Sequence, residues 1–230
     1  MDEPETVATH AWRAQSFGPL KAAEIRDPIV EPLWAGDRVL VVVTPADTAP
    51  RVLDARGEPL EDPQLLPIVA ELASVLLADT VVLDGYLTRQ PNVDRELAAT
   101  MGPRIPTHGE VMRQFFVGGS SSRLTRAMGE DDAPPIDPDL ALTFVAVDLL
   151  SIDDQALLDV PLLERKRILE TAFVEAELVR RSAFVRPPVG PWLISWRAFG
   201  FTEIAYKDAN SRYTLGMPNP GWAVATIPIR

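Results

Sequence analysis

Cysteine is absent from this 230-residue chain, and lysine occurs only at Lys21, Lys166 and Lys207. The lack of cysteine excludes disulfide bonds and thiolate chemistry. No apolar run reaches the length of about 18 residues that a membrane-spanning helix needs. The first five residues are acidic, whereas a signal peptide begins basic and continues apolar. These absences predict a soluble cytoplasmic protein with no membrane partner.

The chain has few basic groups for a protein that holds nucleic acid through its phosphates. Its formal charge is −11, and arginine supplies nearly all of the positive charge. Phosphate binding calls for a basic face, so this balance argues against tight non-specific DNA binding. Local patches around Arg180 and Arg181, or around Arg123 and Arg126, remain candidates. Arginine also cannot lose a proton to become a nucleophile.

Zinc chemistry is not expected, because the chain has no cysteine and only two histidines, His10 and His108, far apart in sequence. The acidic stretch Glu130–Asp132 is interpreted as solvated surface. The many carboxylates leave a weak magnesium site open, but the pattern identifies no metal ligand.

Hydrophobic periodicity predicts strands and helices that alternate along the chain. Predicted strands cover residues 38–44, 51–55, 79–88, 142–150, 182–186, 192–198, 202–206 and 222–227. Predicted helices cover residues 65–77 and 162–178, with Asp159 expected to cap the second and Pro161 in its first turn. Residues 129–138 are predicted to form an exposed acidic loop. This order favours an α+β fold with largely antiparallel sheets.

The stretch Glu31-Pro32-Leu33-Trp34-Ala35-Gly36-Asp37-Arg38 resembles the nucleotide-attachment motif of ATP-dependent DNA ligases. That motif reads Lys-x-Asp-Gly-x-Arg and often follows Glu-Pro. In the family the lysine attacks the α-phosphate of ATP, which requires a neutral amine. Leu33 and Ala35 occupy the lysine and aspartate positions, while Gly36 and Arg38 match. Arg38 is expected either to meet a phosphate or carboxylate, or to be a charge at a strand edge.

Three further stretches are similar to family motifs. Asp84-Gly85-Tyr86 resembles Asp-Gly-Glu, with Tyr86 in place of the glutamate that binds ribose. Val147-Asp148-Leu149-Leu150 resembles an aromatic-Asp-Leu-Leu strand, with Val147 in place of the aromatic that stacks on adenine. Residues 161–170 nearly match the family's Pro-Leu-x-x-Arg-Arg-x-Leu-Leu helix. We expect that helix to supply packing and surface charge, so it indicates a retained fold.

The last two motifs lie near the end of the chain. Residues 200–207 resemble Gly-Phe-Glu-Gly-Val-Val-x-Lys, with Thr202 in place of the glutamate that helps to hold the metal. Lys207 matches, as do Ser211, Tyr213 and Gly216 after it. Glu203 is expected to point to the other face of its strand unless a bulge turns it. Residues 222–226 resemble Trp-x-Lys-x-Lys, but Val224 and Thr226 replace the phosphate-binding lysines and are predicted to pack.

These resemblances imply a ligase-type nucleotidyltransferase (adenylation) domain over residues 29–230, after an irregular segment 1–28, without the family's oligonucleotide-binding barrel. Seven functional positions have changed: Leu33, Ala35, Tyr86, Val147, Thr202, Val224 and Thr226. A residual nucleotide or phosphate site is expected to use Gly36, Arg38, Asp84, Asp148 and Lys207. ATP and Mg²⁺ are expected only if such a site persists.

The favoured hypothesis is a pseudoenzyme that binds or scaffolds other molecules, with a DNA-repair protein or DNA as the partner implied by the resemblance. One alternative is an active ligase or nucleotidyltransferase with a rewired site. Another is a non-covalent nucleotide sensor that uses Arg38 and Lys207 for phosphate. A pocket containing both cations would favour the sensor, and filling by Leu33, Val147 and Val224 would oppose it. The sequence leaves the oligomeric state open.

Overall fold

The computed structural model describes residues 11–44, 49–90 and 139–228. His10, His108, Arg123, Arg126, the stretch Glu130–Asp132 and the predicted loop 129–138 lie outside the described residues. The strands are β1 (Ser16–Phe17), β2 (Pro28–Pro32), β3 (Asp37–Val43), β4 (Arg51–Asp54), β5 (Val81–Thr88), β6 (Thr143–Ile152), β7 (Gln155–Ala156), β8 (Val179–Arg181), β9 (Glu203–Asp208), β10 (Pro218–Asn219) and β11 (Trp222–Thr226). The helices are α1 (Leu66–Val75), α2 (Leu162–Ala172) and α3 (Gly190–Ala198), with 3-10 turns at Ala22–Glu24 and Pro63–Leu65.

A large sheet of six strands forms the centre of the fold. Its order is β4-β3-β5-β6-β7, all antiparallel, and β8 joins β6 in parallel. β5 is buried along its whole length and β6 along nearly all of it, as their continuous valine and leucine content predicts. One face of this sheet packs against residues of α1 and α2, including Ile68, Leu72 and Leu169.

A second sheet of three antiparallel strands, in the order β11-β9-β2, lies against the other face. Two apolar clusters contain residues of both sheets. One is built around Trp222, Ile29 and Leu40, and the other around Val30, Tyr86 and Val147. Trp12 joins the first cluster and is buried, so the described part of segment 1–28 contributes to the core.

Two bulges in β6 change which side chains face the small sheet. The register shifts between Val82 and Leu83 and again between Asp84 and Gly85. As a result Phe144 and Leu149, one even-numbered and one odd-numbered, both pack on the α1 side. An extra residue reverses the alternation of a strand. The bulges leave Asp148 directly opposite Asp84.

The α+β class with mainly antiparallel sheets is confirmed, and the described residues form no closed barrel. Four local predictions were wrong. Residues 192–198 belong to helix α3, because Trp192 and Trp196 also fit helical spacing and Pro191 suits a first turn. Helix α2 ends at Ala172 because Phe173 is extended and bridges Leu76.

The third wrong prediction is the strand 182–186. The strand in this region is β8, and beyond it only Val185 forms an isolated bridge, with Val30. The N-cap of α2 is Pro161, with no side-chain hydrogen bond, so Asp159 is not the capping residue. Among the helices of the described residues, none has the length and apolar character needed to cross a membrane.

Candidate functional site

Changed positions from three of the motifs, around Leu33, Thr202 and Thr226, meet at one end of the small sheet. The Leu33 amide donates to the Glu203 carbonyl at 3.0 Å, and Thr226 pairs with Glu203 across β11 and β9. Leu33 and Val224 are half-buried, and Ala35, Thr202 and Thr226 are exposed. This end of the sheet therefore offers no ammonium group at positions 33, 224 and 226, three of the four places where the ligase motifs have lysine.

The loop that replaces the nucleotide-attachment motif is fixed by contacts from three directions. The Trp34 indole N–H donates to Ser182 Oγ at 2.9 Å, and the Ala35 amide donates to Gln90 Oε1 at 2.6 Å. Gly36 has a φ of +132°, and a Cβ there would lie 2.0 Å from the Leu87 carbonyl oxygen. Glycine is retained here because no other residue fits this backbone and this space.

Strand β9 has no bulge that would turn Glu203 to the face expected for the family's metal-binding glutamate. β9 pairs with β2 and β11 residue by residue, and the side chains of Thr202 and Glu203 are exposed. The described residues contain no group of three or more Asp, Glu, His or Cys side chains arranged to hold a metal ion. Thr226 is also exposed, so the prediction that it packs was wrong, whereas Val224 is half-buried.

Apolar and aromatic side chains occupy the region of the second and third motifs. Tyr86 and Val147 are buried in one cluster with Trp34 and Phe201, and Leu33 packs against it. The rings of Trp34 and Phe201 meet edge to face at 4.9 Å. This is the filling by Leu33 and Val147 that opposes a nucleotide sensor. Val224 is not part of that cluster.

The phenol of Tyr86 stays protonated far above its ordinary range. Burial raises the pKa of Tyr86 to about 12, with a smaller increase from Asp84 and Glu31 and a decrease from Arg38. In the unfolded chain the group titrates near pH 10. A raised pKa in the folded state stabilises the protein fully below pH 10, and this contribution is lost as pH rises toward about 12.

We therefore expect Tyr86→Phe to reduce the alkaline loss of stability. The natural protein should lose free energy of unfolding between about pH 10 and 12, and the variant should lose less over that interval. Urea unfolding at a series of pH values measures the difference. Tyr206→Phe is the matched control, because Tyr206 is only half-buried. Equal alkaline slopes for the natural protein and Tyr86→Phe would contradict the assignment.

Arg38 is fully engaged inside the protein. Its Nε and Nη2 donate to the two carboxylate oxygens of Asp84 at 2.9 and 2.6 Å, and its Nη1 donates to the Gln15 carbonyl at 2.6 Å. Asp84 is completely buried and also accepts a hydrogen bond from the Tyr213 hydroxyl at 2.7 Å. Such a bidentate pair is a strong and specific contact. Arg38 meets a carboxylate, one of the two partners expected for it.

A second pair of this kind lies beside the first. Arg165 donates from Nε and Nη2 to the carboxylate of Asp148 at 2.9 and 2.7 Å, and both side chains are fully buried. Asp148 and Asp84 are cross-strand neighbours, and like charges in that position repel. Each carboxylate is therefore neutralised by its own guanidinium group. Helix α2 was expected to supply packing and surface charge, but its residue Arg165 is fully buried.

A third set of buried charges was not predicted from the sequence. Glu31 on β2 lies between two lysines, accepting from Lys166 Nζ at 2.5 Å and also from Lys207 Nζ, and all three are buried. Burial alone raises the pKa of Glu31, but the two ammonium groups outweigh it and hold that pKa below its ordinary value. The adjacent Glu31-Pro32 was visible in the sequence, but nothing there linked it to Lys166.

The indole of Trp222 lies against two of these cations. Lys207 Nζ is 4.1 Å from the centroid of the Trp222 ring, and the Arg38 guanidinium carbon is 5.7 Å from it. Burial lowers the pKa of Lys207, as do Lys166 and Arg38, and Glu31 partly opposes them. The structure thus brings Arg38, Asp84, Asp148 and Lys207 together between the sheets, but each is paired with another protein group. Gly36 lies in the loop outside them.

Comparison with known proteins gives a likeness in structure only. No protein-family model matches the chain, and no curated protein matches its sequence. Among solved structures, the chain is similar to the ligase domain of LigD from M. tuberculosis, with TM-score 0.60 and 20% identity over 94% of this chain and 59% of that chain. A mycobacterial DNA ligase D complexed with ATP and MES gives TM-score 0.60 and 21% identity over 94% and 60%.

A third similar structure is named Pmar-Lig_Pre, with TM-score 0.52 and 12% identity over 94% of this chain and 46% of that one. The chain spans about 60% of the length of the two mycobacterial ligase chains that it resembles. At these identities the likeness concerns the fold. The chain therefore has the fold of an ATP-dependent DNA ligase adenylation domain, over the part of those ligases that it spans.

Proposed function

We propose that this protein is a ligase-like domain that has lost adenylyl transfer and acts by binding other molecules. The observation that carries the proposal is that both remaining motif cations are paired with buried carboxylates. Arg38 is held by Asp84, and Lys207 is held by Glu31. Freeing Arg38 for a nucleotide phosphate would leave the buried Asp84 carboxylate without a cation. Freeing Lys207 would break its bond to Glu31, which would keep only Lys166.

The chemistry of the first step supports the same conclusion. Adenylyl transfer needs an amine lone pair directed at the α-phosphate, and position 33 holds leucine. It also needs positive charge to stabilise the transition state. Freeing Arg38 for that purpose would leave Asp84 as an uncompensated buried charge, which costs about 3–5 kcal/mol. The contact between a nucleotide phosphate and the freed cation would have to recover that free energy before the nucleotide could bind.

The partner follows from the resemblance alone. A DNA-repair protein, or DNA itself, is the proposed partner of residues 29–230, and the cytoplasm is the proposed location. The formal charge of −11 favours a protein over a nucleic-acid backbone.

One observation favours a rewired enzyme as the second candidate. Burial lowers the pKa of the Lys207 amine, and a lowered pKa is how a lysine becomes a nucleophile. Against this, Lys207 is 2% exposed and bonded to Glu31. An attacking amine needs both access to ATP and a free lone pair.

Incubation with ATP and Mg²⁺ followed by intact-mass measurement tests the proposal. The natural protein should gain no adenylate, and its melting temperature should not rise with ATP, since a ligand that binds the folded state would raise it. A Leu33→Lys, Ala35→Asp variant should also remain unmodified, because Lys207 and Arg38 stay occupied.

A Lys207→Met variant is the matched control for the second candidate. An adenylate on the natural protein that disappears in Lys207→Met would replace the pseudoenzyme proposal with the rewired enzyme. An adenylate on the Leu33→Lys, Ala35→Asp variant alone would show that a working nucleotide pocket remains.

A further inference from the structure

The outer side of α1 carries no charged side chain and is bordered by large exposed apolar residues. Leu66 at its start is 67% exposed, and beyond its end Leu77 is 65% and Val174 is 55% exposed. The exposed positions between them are Pro67, Ala70, Ala73 and Ser74. We call these seven residues the α1 face. Contiguous exposed apolar surface of this kind marks interaction sites in soluble proteins.

Backbone geometry places the members of the α1 face near one another. Leu66, Ala70 and Ala73 follow the spacing that places side chains on one side of a helix. At the other end the Leu77 amide donates to the Ala172 carbonyl at 2.9 Å, and the Val174 amide donates to the Val75 carbonyl at 3.0 Å. These bonds bring the exposed Leu77 and Val174 beside the end of α1.

The charged residue of α1 does not interrupt this surface. Glu71 is half-buried, and its Oε2 accepts from the Leu178 amide at 2.5 Å. The middle of the α1 face carries only the small side chains of Ala70, Ala73 and Ser74. Small side chains allow another helix to approach closely along α1.

The α1 face is separate from the paired charges between the sheets. The inner residues Ile68 and Leu72 pack on the face of the large sheet that contains Val39 and Leu83. Tyr86 and Leu40 belong to clusters on the opposite face. The inference that follows is therefore independent of whether adenylyl transfer is lost.

Carboxylates flank the α1 face in the chain. Exposed acidic residues lie within five positions of its apolar members: Glu61, Asp62, Asp79, Glu170, Glu175 and Glu177. Two arginines near it are already engaged, Arg89 with Gln64 and the Leu140 carbonyl, and Arg181 with Glu175. Glu175 is paired with Arg181 and Arg89 keeps its charge, but residues 61–82 and 169–179 contain no lysine or arginine. The chain around the apolar surface is therefore negative, and it would attract positive groups on a partner.

We propose that the α1 face binds an amphipathic helix of another protein whose apolar side is flanked by lysine and arginine. Helix-in-groove recognition uses an apolar stripe for affinity, and charge at the rim for specificity and association rate. A second copy of this chain would bring carboxylates against carboxylates. The phosphates of DNA would meet the same repulsion.

The probe is a labelled synthetic peptide, about 18 residues long, with leucine at helical spacing and lysine elsewhere. Fluorescence anisotropy without ATP measures its binding to the full chain. A scrambled peptide of the same composition should bind at least about tenfold more weakly, which corresponds to about 1.4 kcal/mol. A Leu66→Gln, Leu77→Gln variant should bind the amphipathic peptide with a similar loss. Rising salt should weaken binding, and less so in a Glu170→Gln, Glu177→Gln variant.

Met217→Gln is the matched control, because Met217 is 56% exposed on the β10 side of the molecule. It should leave binding unchanged, and urea unfolding should show all variants folded, as expected for exposed positions. Equal binding of the scrambled peptide, or no loss in Leu66→Gln, Leu77→Gln, would overturn the proposal. So would a dimer of the natural protein that this double variant dissociates, because a second copy would then occupy the α1 face.

Discussion

Replacing Glu31 with glutamine is expected to lower the free energy of unfolding by about 3–5 kcal/mol, because two buried ammonium groups then lose their carboxylate. Lys166 and Lys207 are 2% exposed, so neither regains water without local opening. Urea unfolding followed by tryptophan fluorescence measures the loss. Glu203→Gln is the control, because Glu203 is exposed on a strand of the same sheet, and it should change stability by less than about 0.5 kcal/mol.

The pH dependence of the free energy of unfolding provides a second test of the role of Glu31. The two lysines hold the pKa of Glu31 below its ordinary value although burial raises it. A lowered pKa in the folded state means that the stabilisation is present above the ordinary value, about 4.3, and is lost as pH falls through the folded one. Glu31→Gln should lack that part of the acid loss. Unchanged stability in Glu31→Gln would mean that the two lysines are not held as described.

A triple variant separates the effect of the buried charges on stability from the effect of packing. Replacing all three charged groups, as Glu31→Leu, Lys166→Met and Lys207→Met, removes the cost of burying them and keeps much of the volume. Substitutions of this kind often recover or exceed the original stability. We expect the triple variant to be more stable than Glu31→Gln. A triple variant as unstable as the single one would show that packing, not charge, accounts for the loss.

The second large effect is expected from Asp84→Asn, with a loss of about 3 kcal/mol. Asp84 accepts two hydrogen bonds from Arg38 and one from Tyr213. An amide has no charge and can accept only part of them, so the Arg38 guanidinium is left uncompensated. Thermal unfolding measures the effect, and a loss of this size lowers the melting temperature by about 6–12 °C in a domain of this length.

Asp37→Asn is the control for Asp84→Asn, because Asp37 is exposed and next to Arg38 on β3. It should change the melting temperature little. A double variant, Arg38→Met with Asp84→Leu, should lose less stability than the sum of its single changes, since the two residues act as one unit. Full stability of Asp84→Asn would favour a residual nucleotide site over a structural pair.

The central strands could be predicted from sequence because local composition alone determines them. β3, β5 and β6 are runs of valine and leucine bounded by turn residues, and a strand buried on both faces has that composition in any fold. The predicted boundaries at residues 38–44, 79–88 and 142–150 differ from the observed ones by at most two residues. The resemblance to the ligase motifs predicted the fold. Most of the glycine, proline and α2 residues of those motifs are present in this chain, although most functional side chains are not.

Segments whose conformation depends on distant contacts could not be predicted. The residues after Ala172 fit a helical pattern, but the chain leaves the helix there because Phe173 bridges Leu76. Trp192 and Trp196 are compatible with one face of either a strand or a helix. The bulges in β6 also escape sequence reasoning, since they are defined by the register with β5.

The candidate site was only partly predictable for a related reason. The resemblance identified Arg38, Asp84, Asp148 and Lys207, and the structure gathers them between the sheets. The partner of Lys207 was not identified, because Glu31 is 176 residues away from it in sequence. A helix rich in arginine, lysine and glutamate is typical of a solvated surface. Only the packing of α2 on β6 reveals that Arg165 and Lys166 point inward.

The paired charges between the sheets also affect how the protein responds to heating. The cost of removing a charged group from water falls as temperature rises, because its hydration carries a negative entropy. The stabilisation that comes from apolar burial, including that around Trp222, does not increase comparably with temperature. The buried pairs Arg38–Asp84, Arg165–Asp148 and Lys166–Glu31–Lys207 should therefore carry a growing share of the stability as the protein warms.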